Sequence, residues 1–102
     1  MDDTTLGGYQ QVHGRPPAFG AADGRAYSVA TFADDSAEQG RFGAALLFVC
    51  WGNGEVDRPV GHLETDYLAY GNSAEEALAP LLALTLVQVK EYLDRCVAEQ
   101  AR

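Results

Sequence analysis

Arg41-Phe42-Gly43-Ala44-Ala45-Leu46-Leu47-Phe48-Val49-Cys50-Trp51 is the stretch on which the fold turns, because beyond Arg41 every position in it is apolar or small. Extended backbone sends alternate side chains to opposite faces. Phe42, Ala44, Leu46, Phe48 and Cys50 then share one face, and Gly43, Ala45, Leu47, Val49 and Trp51 share the other. A strand apolar on both faces needs cover on two sides.

The flanking segments supply neighbours. From Arg25 to Ala33, Tyr27, Val29 and Thr31 alternate with Ser28, Ala30 and Phe32, the pattern of a first strand. The polar run Asp34-Asp35-Ser36-Ala37-Glu38-Gln39-Gly40 predicts a hairpin loop. On the other side Gly52-Asn53-Gly54 is a turn signal, and a polar loop runs on to Pro59. A third strand is predicted from Val60 to Tyr70, with a break near Thr65.

Helices follow the strands. Ser73-Ala74-Glu75-Glu76 has the form of a capping box, and its acidic first turn suits the positive end of a helix dipole. Pro80 lacks the donor that a helix interior requires, so this helix should kink or end near it. Thr85-Leu86-Val87-Gln88 offers a second box and a restart. The expected helices span about 74–83 and 86–99. Leu82, Leu86, Val89, Leu93 and Cys96 form one apolar stripe, with Lys90, Glu91, Asp94, Arg95 and Glu99 on the exposed side.

The expected fold is therefore α+β: an antiparallel sheet of three or four strands with C-terminal helices packed on one face. Residues 1–24, with the doublets Gly7-Gly8 and Pro16-Pro17, read as an N-terminal arm on which Tyr9, Val12 and Phe19 are anchors. Residues 25–102 read as a single domain. One helical layer covers one face of the doubly apolar strand, so the other face requires the arm or another chain. Self-association through the sheet is the expectation, with Phe42, Leu46, Leu47, Phe48, Val49 and Trp51 as the interface.

Composition narrows the function classes. The 102 residues, 47% of them hydrophobic, suffice for one core. Seven basic residues against fifteen acidic ones give a net charge of −8, which repels nucleic-acid phosphates and anionic lipid. The apolar run from Ala44 to Trp51 falls short of a membrane span, and the acidic start is unlike a signal peptide, so a cytoplasmic location is expected. Cys50 and Cys96 fall on apolar patterns and are expected to be reduced. Trp51, Tyr67 and Tyr70 could stack on bases, but a single lysine offers little to track a backbone.

Gly61-His62-Leu63-Glu64-Thr65-Asp66-Tyr67 is the segment most suggestive of chemistry, with a histidine and two carboxylates at every second position. In one straight strand, His62 and Asp66 would have Cα atoms roughly 13 Å apart. Ligand bonds to zinc are only about 2.0–2.2 Å, so three such groups converge only across a bulge or with outside help. His13 is the sole further histidine. No GxSxG elbow, GxGxxG turn or P-loop is present. A solvated strand face is the favoured reading.

Gly40-Arg41-Phe42-Gly43-Ala44, followed by Tyr70-Gly71-Asn72-Ser73-Ala74-Glu75-Glu76-Ala77-Leu78, resembles the HicB-type antitoxin domain. There a glycine–aromatic–x–alanine strand precedes a glycine-led, acidic helix start. The resemblance covers about residues 27–80. It implies a partial RNase H-like sheet with a helix on one side, self-association, and neutralisation of a protein toxin without catalysis. The functional expectation is a non-enzymatic protein-interaction module, a homodimer or the partner of another protein, with no cofactor. The alternative is a small metal-dependent hydrolase using His62, Glu64 and Asp66, with His13 brought over by the arm.

Overall fold

The computed structural model describes residues 3–35, 41–52 and 58–100. It is an α+β fold of one antiparallel sheet and three helices. In chain order these are α1 (Leu6–His13), β1 (Ala18–Gly20), β2 (Ala26–Asp35), β3 (Phe42–Cys50), β4 (Gly61–Glu64), β5 (Ala69–Gly71), α2 (Ala74–Leu82) and α3 (Leu86–Gln100). The strand order is β1-β2-β3-β4, and β5 pairs with β3. β3 is thus interior, paired along its whole length with β2 on one side and with β4 and then β5 on the other. Of the expected hairpin loop, Asp34 and Asp35 belong to β2 instead; its residues 36–40, like most of the loop after Trp51, lie outside the described residues.

The expected third strand is divided where its break was anticipated. Leu47 faces Glu64 and Ala44 faces Ala69, so the four residues 65–68 stand opposite the two residues Ala45 and Leu46. The excess is taken up as a bulge. Thr65 holds it: its amide donates to Leu46 O at 3.0 Å, and its Oγ1 accepts the Leu46 N–H at 3.0 Å.

Both capping serine and threonine side chains act as the sequence suggests. Ser73 Oγ accepts the Glu76 amide at 3.0 Å. Thr85 and Gln88 bond reciprocally, at 3.1 and 2.9 Å. Each such cap is worth about 1 kcal/mol. α2 ends at Leu82, just beyond Pro80. Gly71 brings β5 hard against this helix, since a Cβ there would lie 2.7 Å from Ala77 N.

The N-terminal segment departs from the expected arm. Thr5 Oγ1 accepts the Gly8 amide at 3.0 Å and starts α1, which Gly14 closes in the left-handed conformation, φ 65°. Leu6 is fully buried in the core. Backbone bonds from Leu6 N to Leu84 O and from Leu86 N to Thr4 O, both 2.8 Å, stitch the segment to the α2–α3 junction. β1 joins the sheet beside β2. The segment from Thr5 to Gly20 is thus tied to the α2–α3 junction and to the sheet. Gly7, which the sequence pattern treats as punctuation, is where α1 approaches α2, its missing Cβ being 3.1 Å from Leu82 Cβ and O.

One face of the sheet carries the core. Tyr27, Val29, Ala44, Leu46, Phe48 and Cys50 pack with Leu6, Ala77, Leu81, Val89 and Leu93. Burying each large apolar side chain of this kind contributes about 1.5–3 kcal/mol. Both cysteines are free thiols. Among the described residues no helix is long and apolar enough to cross a membrane.

Candidate functional site

Among the described residues no helix packs against the opposite face of the sheet. Residues facing each other across paired strands share a face, so Ser28 with Val49, Ala30 with Leu47, and Phe32 with Ala45 map this surface. β4 adds His62 beside Val49 and Glu64 beside Leu47. Trp51 continues the pattern: its Nε1 donates to Ser28 Oγ at 2.9 Å, which holds the indole on this side. Phe32, Leu47, Val49 and Trp51 are half-buried and lie outside the core cluster.

Tyrosines cover one end. The ring of Tyr67 lies over Gly43, packs edge-on against Tyr70 at 5.9 Å, and directs its hydroxyl to Asp34 at 3.4 Å. Partial desolvation and the nearby Asp34 carboxylate push the Tyr67 phenol up from its ordinary value. The Arg41 guanidinium sits 5.3 Å from the centre of the Tyr70 ring, a cation–π contact. The result is an apolar strip, Trp51, Val49, Leu47 and Phe32, with a polar flank on β4 and an aromatic cap.

The six residues expected at the interface divide between the faces. Leu47, Val49 and Trp51 stand on the helix-free side. Leu46 and Phe48 are 0% exposed, and Phe42 packs against the core. The helices take the face of these three. Sequence alternation separated the two sets without indicating which set the helices would cover. Phe32, not among the six, stands on the same face as Leu47, on the outward register of the neighbouring strand.

The chemical candidates do not gather. His62 Nε2 is 3.6 Å from Glu64 Oε1, with both side chains more than half exposed. Glu64 and Asp66 line a recess of about 230 Å³ with Asp34 and Tyr67, whereas His62 lines another, of about 120 Å³, with Arg25 and Cys50. The strand ends at Glu64, so period two does not reach Asp66. His13 lies at the end of α1, where it bonds Asp3 at 3.1 Å and contacts the Tyr9 ring. Among the described residues no three His, Cys, Asp or Glu side chains are grouped to hold a metal ion.

Compared with protein-family models, with curated proteins and with solved structures, the chain matches none.

Proposed function

We propose that the protein is a non-enzymatic interaction module that self-associates through the helix-free face of its sheet. The observation that carries this reading is the strip Phe32, Leu47, Val49 and Trp51, apolar and half-buried, on a face that no helix among the described residues covers. The arm, which could have covered it, is used on the helical side. Stacking two such faces covers the second apolar side of β3, which the helices leave open. A second copy of the chain is the partner assigned here.

The HicB-type resemblance of Gly40–Ala44 and Tyr70–Leu78 extends this reading to a role as antitoxin, in which the assembled module neutralises a protein toxin. Light scattering at micromolar concentration tests the association. The wild type should have a mass above that of the monomer. Replacing Leu47 and Val49 together by Glu should lower it, since two carboxylates would have to be buried in the stacked face. A monomeric wild type overturns the proposal.

A further inference from the structure

The edge of β2 beyond Ser28 carries no strand among the described residues. β1 pairs with β2 from Ala26 to Ser28, and the Val29 amide then donates to Pro17 O at 3.2 Å as the last bond on that side. Ala26 exchanges bonds with Trp51 and Gly52, its amide donating to Gly52 O at 2.6 Å. Even-numbered residues of β2 thus turn their backbone groups toward β3. The odd-numbered ones, Thr31, Ala33 and Asp35, turn theirs outward.

Charge is arranged along this edge. Arg15, with Gln10, Gly14 and Pro16, lines a recess of about 500 Å³ against Val29, Ala30 and Thr31, so a cation stands where the open edge begins. Arg15 makes no ion pair within the described residues. Asp35, exposed, stands at the far end.

We infer that this edge pairs antiparallel with the same edge of a second copy, about a two-fold axis at Ala33. In that register all three outward residues are used: Ala33 opposes Ala33, and Thr31 opposes Asp35 twice over. Odd-numbered side chains of β2 point to the helical side, as Tyr27 and Val29 do. Asp35 of the second copy therefore comes down beside Thr31 on the side where Arg15 lines the recess, and symmetry repeats the match. Sliding the register toward the N-terminus runs the second copy into Pro17 and β1.

The inference rests on the self-association reading and adds a separate surface to it. Edge pairing puts both sets of helices on one side, so the two helix-free faces become one continuous surface. Two such pairs stacked face to face make a four-copy assembly with mutually perpendicular dyads.

Ala33→Pro tests the edge, because the amide it removes is one that faces outward, while the β2–β3 ladder keeps its bonds. By light scattering, Ala33→Pro should halve the wild-type mass, and adding the Leu47 and Val49 to Glu changes should give a monomer. Arg15→Asp and Asp35→Arg should each weaken association by about tenfold, and the double exchange should restore it. This pair decides the matter should Ala33→Pro fail to fold. An unchanged mass for folded Ala33→Pro, as expected were the edge to take only a foreign strand, overturns the inference; so does an exchange that does not restore association. A wild-type dimer that Ala33→Pro dissolves and the Glu changes leave intact supports the edge and overturns the face.

Discussion

A Cβ placed on Gly43 would lie 2.6 Å from Cγ of Tyr67, so the tyrosine ring rests on the central strand at a residue without a side chain. The bulge at 65–68 brings Tyr67 there, and the missing side chain leaves room for it. Gly43→Ala should force the ring out and destabilise the domain by about 1–3 kcal/mol, the usual cost of overpacking. The same change separates the phenol from Asp34. Ultraviolet or NMR titration should then find the Tyr67 pKa lower than in the wild type, back toward the ordinary tyrosine value.

Leu46 and Leu47 are neighbours in β3 on opposite faces, one fully buried and one half-buried. Leu46→Ala should cost about 2–5 kcal/mol in denaturant unfolding, as for a methylene-rich side chain removed from a closed core. Leu47→Ala should cost under about 1 kcal/mol in the monomer and express its loss in association instead. Equal costs would mean that the two faces are equally enclosed.

This pair also marks where the sequence stops being informative. Periodicity and turn chemistry located β2, β3 and both C-terminal helices, and a break was expected near Thr65, the polar residue on the face that Leu63 and Tyr67 would share. The choice of face was not legible, since Phe42 to Trp51 is apolar on both sides and the helices could have taken either. α1 was hidden for a different reason. Gly7 and Gly8 have poor helix propensity, and only the tertiary contact of Gly7 with Leu82 explains why a glycine belongs there. Where Asp66 stands was not legible either: period two carries His62, Glu64 and Asp66 along one straight strand, whereas backbone pairing stops at Glu64.

Gly71 precedes α2 at similarly close range, its absent Cβ 2.7 Å from Ala77 N and 2.9 Å from the Glu76 backbone carbon. These are backbone atoms of a capped helix and cannot yield as a side-chain tip can. Gly71→Ala should therefore separate β5 from α2 and lose about 2–3 kcal/mol, visible as a lower melting temperature. Ser73→Ala, which removes only the cap on the Glu76 amide, should lose about 1 kcal/mol.

Tyr27 and Asp23 link stability to pH at both ends of the scale. The buried Tyr27 hydroxyl donates to Asp23 Oδ2 at 2.6 Å, and the Arg25 amide donates to Oδ1 at 3.0 Å. Slight burial acts to raise the Asp23 pKa, but the Tyr27 and Arg25 hydrogen bonds outweigh it, and the carboxyl ends below its ordinary value. A depressed acid stabilises the fold above its unfolded pKa and loses that contribution as pH falls through the folded one. Burial first, and then the Asp23 hydrogen bond, push the Tyr27 phenol well above its ordinary value. Its contribution is therefore complete below about pH 10, the unfolded tyrosine pKa, and declines above it. Tyr27→Phe should raise the Asp23 pKa in an NMR titration and remove the decline above that pH from the curve of melting temperature against pH. An alkaline decline that survives in Tyr27→Phe would assign it to another group.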